Sequence, residues 1–152
     1  MEPATIRFAR PDDRLHLARM RALLWPEWPA ENHAKEVDAI LSGRFGTLPL
    51  VILVAESRGE PVGFLEVGLR SHADGCDPAR PVGFLEGWFV EEAWRNQGIG
   101  KALMTAAEDW ARSQGCREMA SDTWIGNELS QRAHEALGFE VVDRCVNYRK
   151  KL

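Results

Sequence analysis

The sequence has only three cysteines, Cys76, Cys116 and Cys145, spaced too widely for a disulfide framework or a metal-ligand pair. They read as buried or free thiols of a reducing compartment, so a cytoplasmic location is expected. Long apolar runs are lacking too. The longest, Leu48 to Ala55, is strand-sized and well short of the roughly 18 residues of a membrane span. Residues 1–10 carry Glu2 and alternating charge instead of a basic apolar leader, so no signal peptide is expected. An excess of positive charge is also missing, with 19 Lys+Arg against 23 Asp+Glu and a net charge of −4. Phosphate backbones need a basic face, so this balance argues against nucleic acid as the main partner, while a cationic ligand is allowed. There is no internal repeat and no low-complexity tract.

What is present suits one domain over residues 1–152. With 45% hydrophobic residues, a chain of this length can bury about 70% of its unfolded surface, enough for a core without disulfides or metal. Thr5 to Ala9 alternates as a short strand, and Pro11, Asp12 and Asp13 open a helix carrying Leu15, Ala18, Met20, Leu23 and Leu24 at helical spacing. Pro26 and Pro29 break it; Glu31 to Leu41 forms a second helix with Ala34, Val37, Ile40 and Leu41 on one face, stopping near Gly43. Pro49 to Ala55 and Val62 to Arg70 read as strands joined by an Arg-Gly turn. Ser71 to Pro81 is a polar loop, and Val82 to Val90 a third strand in an antiparallel row, with Phe84 and Glu86 on one side and Leu85 and Gly87 on the other if it stays regular.

Gly100 to Ser113 is the clearest helix, with Leu103, Ala107, Trp110 and Ala111 on its apolar face and Gly115 as its stop. Cys116 to Thr123 reads as a strand, Asn127 to Leu137 as a helix closed by Gly138, and Phe139 to Tyr148 as a last strand. The expected order is β-α-α-β-β-β-α-β-α-β, a mixed, mostly antiparallel α/β fold.

One segment carries chemistry. Arg95-Asn96-Gln97-Gly98-Ile99-Gly100-Lys101 sets two glycines between a strand end and a helix start, with Arg95 and Lys101 as flanking cations. Glycine admits close approach of a ligand, and a helix N-terminus offers unpaired N–H groups suited to a pyrophosphate; read alone, the pair also fits a tight strand-to-helix turn. Neither nucleotide fingerprint fits, because Ala102 and Leu103 are not glycine and Lys101 is followed by Ala102 rather than Ser or Thr.

Arg95-x-x-Gly98-x-Gly100, followed by a helix, a strand, Asn127 and Gly138-Phe139, resembles the GCN5-related N-acetyltransferase (GNAT) superfamily over essentially the whole chain. Four further blocks resemble the short, dimeric aminoglycoside 6'-N-acetyltransferases: Leu24-Trp25-Pro26, Phe84-Leu85-Glu86-Gly87, the run from Gly115 to Ser121-Asp122-Thr123, and Tyr148-Arg149-Lys150. The resemblance implies a GNAT fold with acetyl-CoA as co-substrate and an aminoglycoside 6'-amine as acceptor. It places the pyrophosphate on Asn96, Gln97, Gly98, Ile99, Gly100 and Lys101, and the pantetheine amides along the backbone of Trp88, Phe89 and Val90. Asn127 is also expected to touch the cofactor.

Carried over residue by residue, Glu86 and Asp122 bind sugar amines, and Asp122 could take the proton of the 6'-ammonium. His134 stands where the superfamily often has a tyrosine as the acid for the departing thiolate. Tyr148, the only tyrosine, lies in the last strand. Trp25 and Trp28 are expected to form an aromatic wall for the sugar. The resemblance also implies a homodimer in which the last strand can be exchanged, bringing Asp143 to the partner's drug site. The loop Ser71 to Pro81 departs from the pattern, lacking the usual drug-contacting tyrosine. A polyamine or protein amine as acceptor, or a module that binds without catalysing, are the competing readings.

Overall fold

The computed structural model describes residues 2–152. Its elements are β1 (Thr5–Phe8), α1 (Arg14–Leu24, after a 3-10 turn over Pro11–Asp13), α2 (Ala30–Leu41), β2 (Leu50–Ser57), β3 (Glu60–Arg70), β4 (Val82–Val90), α3 (Ile99–Ser113), β5 (Met119–Ser121) and α4 (Glu128–Ala136). The strands form one sheet in the order β1-β2-β3-β4-β5, antiparallel throughout except for the parallel pair β4 and β5.

The near-continuous apolar runs of β2 and β3 follow from helices on both faces of the sheet. Alternate residues Leu53, Ala55, Leu65, Val67 and Leu85 pack on α3 through Leu103, Met104 and Ala107. Their neighbours Ile52, Val54 and Phe64 pack on α1 and α2 through Leu17, Met20, Val37 and Ile40. Each fully buried Val, Leu, Ile, Met or Phe side chain contributes about 1.5–3 kcal/mol, so the two layers together hold the sheet between them.

Three expectations change. On α1 the buried face is Leu17, Ala18, Met20 and Arg21, while Leu15 and Leu23 are exposed, because the helix turns Arg21 inward to meet the buried Glu66 and the partly exposed Glu36. In β4, Leu85 pairs with Val67 but Gly87 pairs with Glu66, leaving Glu86 as the extra residue of a bulge. Leu85 and Gly87 therefore face opposite sides of the sheet: Leu85 enters the α3 layer, and Gly87 faces Trp25 and Leu24.

The third change is the last strand. Among the described residues, 139–152 pair with no strand of this chain, and β5 is confined to Met119–Ser121. Val141, Val142, Val146 and Tyr148 are exposed. Residues 139–148 read as a strand from their sequence, but a strand needs a ladder partner, and among the described residues this segment is paired with none.

Candidate active site

The end of α1 builds one wall of a cleft of about 580 Å³. The Trp25 N–H closes the helix on Arg21 O, and the chain then turns away through Pro26 and Pro29. Trp25 stacks on His33 at 6.3 Å and meets Phe64 edge-on at 6.4 Å. His33 is buried and its Nε2–H donates to Trp25 O at 3.1 Å, since a carbonyl can only accept. A Cβ on Gly87 would come within 2.5 Å of the Trp25 ring, so the glycine of the Phe-Leu-Glu-Gly block exists to admit this indole. Trp28, 57% exposed, stands further out on the same wall.

The cleft is lined with acid: Glu36 from α2, Glu66 from β3 and Glu86 from the β4 bulge. Arg21, buried under the Trp25 ring, bonds both Glu66 and Glu36. Burial pushes the Glu66 carboxyl up from its ordinary range, and the Arg21 guanidinium pulls against that shift. Glu86 is held by Arg70 instead, at 3.0–3.1 Å. Three carboxylates against two guanidiniums leave an acidic surface for a cation.

On the far side of β4 the sheet opens. Pairing with β5 covers only Gly83 to Leu85, so residues 86–90 have no neighbour along that edge. Glu91 N–H donates to Val62 O on the β3 side, so strand alternation turns the N–H and C=O groups of Val90 and Trp88 toward the opening and those of Phe89 toward β3. Arg95 Nε takes Val90 O at 2.9 Å. An extended amide chain would find the Trp88 backbone and the Val90 N–H free along this edge.

That edge leads to the N-terminus of α3. Asn96 and Gly98 both adopt positive φ, 60° and 80°, and Gly98 is the N-cap with no side-chain bond. The helical ladder begins with Ala102 N–H on Gly98 O, so the preceding N–H groups, Gly98 to Lys101, point outward. Nothing lies within 4 Å of a Cβ on Gly98, which leaves room for an anion. Gly100 has a different reason: a Cβ there would meet the Trp88 ring at 2.9 Å. Ile99 is buried in the α3 layer, while Gln97 and Lys101 are exposed beside the loop. These residues fit a pyrophosphate.

Asp122 follows Ser121, whose pairing with Leu85 puts Asp122 and Glu86 in step just where the two strands part. Asp122 is exposed, and no ion pair holds it among the described residues. Ser121 Oγ lies 2.8 Å from His134 Nε2, and His134 Nδ1 lies 2.7 Å from Ser130 O. The carbonyl can only accept, so Nδ1–H donates to Ser130 O, and Nε2 shares the second hydrogen bond with the Ser121 hydroxyl. The ring is wedged edge-on between Trp88 and Phe139. Asn127 is the N-cap of α4, its Oδ1 accepting from Ser130 N–H at 3.1 Å.

The structure thus brings Trp25, Trp28 and Glu86 to one cleft and gathers the glycine loop and the open β4 edge on the other side, with Asp122 at the junction. Asp143 lies on the exposed C-terminal segment and does not line the cleft of its own chain. Four cleft residues carry no sequence motif: Arg21, His33, Glu36 and Glu66. A buried Arg four residues before Trp25 is the one signal that helical spacing could have offered.

The sequence profile described as "Acetyltransferase (GNAT) family" matches residues 17–139. An aminoglycoside N(6')-acetyltransferase type 1 of Stenotrophomonas maltophilia is 40% identical over 97% of this chain and 94% of its own length. The enzyme of the same name from Klebsiella aerogenes is 42% identical over 88% of this chain and 87% of its own. Among solved structures, AAC(6')-Iy in complex with the bisubstrate analog CoA-S-monomethyl-acetylneamine superposes with a TM-score of 0.89 at 37% identity, covering 99% of this chain and 100% of that one. With a profile match across most of its length and such relatives end to end, the chain belongs to the GNAT acetyltransferase family and, within it, to the aminoglycoside 6'-N-acetyltransferases.

Proposed function

We propose that this protein transfers the acetyl group of acetyl-CoA to the 6'-amine of aminoglycosides and so confers resistance to them. The observation that carries this reading is the meeting, at residues 86–88 of β4, of an acidic aromatic cleft with an open strand edge that runs to an uncapped helix N-terminus. One side suits a polycation, the other a pantetheine ending in a pyrophosphate.

Acetyl-CoA supplies an activated acyl group, and the chain's own residues bind, orient and manage the proton. Asn96 to Lys101 hold the pyrophosphate through backbone N–H groups, with Lys101 adding charge. The backbone of Trp88 and Val90 pairs with the pantetheine amides and directs an N–H at the acyl oxygen; Phe89 packs behind them on Phe64. Asn127, whose Oδ1 is committed to the α4 cap, keeps its NH2 for the cofactor. Glu86 receives a substrate ammonium, Trp25 and Trp28 pack on the sugar, and Asp122 takes the proton from the 6'-ammonium. His134 acts on the reaction through Ser121, holding the strand end that carries Asp122.

The protein works as a single cytoplasmic domain in a homodimer, with residues 139–148 of each protomer adding a strand to the other and delivering Asp143 to its cleft. Exposed valines along an unpaired segment support this exchange. A thiol-release assay with acetyl-CoA across kanamycin, tobramycin, a 6'-hydroxyl aminoglycoside and spermidine tests the function. Turnover confined to drugs with a 6'-amine establishes it; turnover with spermidine alone moves the acceptor to polyamines.

A further inference from the structure

Arg70 ends β3 and Glu86 is the bulged residue of β4, and the two meet inside the cleft. Arg70 Nε and Nη2 donate to Glu86 Oε1 at 3.1 and 3.0 Å, and Nη2 reaches Oε2 at 3.0 Å. The guanidinium carbon sits 3.4 Å above the centroid of Phe84, which is buried. A planar cation is thus stacked on an aromatic floor and forked onto a carboxylate, the two contacts that an ammonium-bearing sugar would seek at the same place.

The companion pair in the cleft behaves differently. Arg21 and Glu66 have side chains only 4% exposed, so that ion pair is a fixture of the fold. The Arg70 and Glu86 side chains are 44% and 32% exposed, so water and ligands reach this pair, and such pairs are weak and exchangeable. We propose that Arg70 is a built-in competitor for Glu86 and thereby a specificity-determining residue: an acceptor's ammonium must take the carboxylate from it. The inference rests on the reading of Glu86 as an amine-binding residue.

The handicap falls only on acceptors that bind Glu86, so it shifts the kcat/KM ratio between these and acceptors held by other residues of the cleft. Arg70 also repels a polycation at close range, so its effect fades as salt rises.

The test is steady-state kinetics with kanamycin on Arg70→Gln, Glu86→Gln and the double variant, each checked for an unchanged melting curve. Arg70→Gln should lower KM about two- to fivefold with kcat unchanged, an effect that shrinks in high salt. Glu86→Gln should raise KM, and adding Arg70→Gln to it should then bring little further change. Arg70→Lys, which keeps the charge but loses the fork, should fall between wild type and Arg70→Gln; because it retains a long cationic side chain, it also serves if Arg70→Gln fails to fold. An unchanged or raised KM in Arg70→Gln, with Glu86→Gln still impaired, overturns the competitor and makes Arg70 a support for Glu86. An unchanged KM in Glu86→Gln removes the amine-site reading itself and this inference with it.

Discussion

Ser121 Oγ and His134 Nε2 lie 2.8 Å apart, with the opposite ring nitrogen of His134 closed onto Ser130 O. Both ring nitrogens are therefore engaged, and the ring's edges touch Trp88 and Phe139. His134→Ala should lower stability by about 1–3 kcal/mol, through a lost hydrogen-bond network and a small cavity. It should keep kcat within about tenfold, because a positioning residue acts only through Ser121. Thermal unfolding and thiol release on one preparation check this. A loss of kcat beyond about a hundredfold with an unchanged melting curve would make the ring the acid for the thiolate.

Gly98 and Gly100 belong to one motif and should fail in different ways. Gly98→Val puts a branched side chain at φ +80° in the space assigned to an anion, so CoA affinity should fall at least about tenfold by calorimetry. Gly100→Ala drives a methyl group to 2.9 Å from the Trp88 ring, so its first effect should be a stability loss of about 1–3 kcal/mol. Equal, purely energetic losses in both would reduce the loop to a tight turn.

This pair of glycines shows how far the sequence could be read. The motif pointed to the helix start, and β4, α3 and the connecting loop stand where the periodicity put them, because a helix period and a strand period are local signals. Which glycine faces ligand and which faces an indole is a tertiary fact. The same limit hid Arg21, His33 and Glu66, since buried ionisable residues are legible only once the partners that permit their burial are known, and it hid the half-exposed Glu36 that pairs with Arg21. The bulge at Glu86 was equally invisible, since one extra residue leaves the alternation of β4 unchanged on paper. The C-terminal segment is the reverse case, read as a strand from its residues yet paired with no strand among the described residues.

Gly87 supports the amine side of the cleft as Gly98 supports the acyl side. A Cβ there would reach Trp25 Cη2 at 2.5 Å, so Gly87→Ala must displace the indole. The variant should raise the aminoglycoside KM by about tenfold while CoA affinity stays within about twofold, with a stability cost of about 1–3 kcal/mol. Parallel calorimetry with CoA and kinetics with the drug separate the two. Loss of CoA binding would place Trp25 outside the substrate wall.

Asp122 should give the complementary result in the chemical step. It carries no ion pair among the described residues and sits in step with Glu86 at the strand divergence, so its carboxylate is free to meet an amine. Asp122→Asn keeps the shape and removes the charge. kcat/KM for the drug should drop about a hundredfold or more, and the Kd for CoA should not change. Equal loss of both would point to misfolding instead of chemistry.

Acid stability tests the other end of the sheet. Arg7 forks onto Asp13 at 2.7 and 2.8 Å, and Arg10 N–H adds a third bond at 2.7 Å, tying β1 to the start of α1. Burial alone would raise the Asp13 carboxyl, but the Arg7 fork and the Arg10 N–H outweigh it and hold the group below its ordinary range. A carboxyl depressed in the folded state contributes stability above its unfolded pKa of about 3.9 and loses it as pH falls through the folded value. Asp13→Asn should therefore cost about 1.5–3 kcal/mol at pH 7 by denaturant unfolding, the scale of hydrogen bonds to a charged group. The gap from wild type should narrow steadily below about pH 4, as wild type protonates the same oxygen that the amide has replaced. A gap that persists undiminished at low pH would mean that shape, not charge, is what Asp13 supplies to the α1 entry.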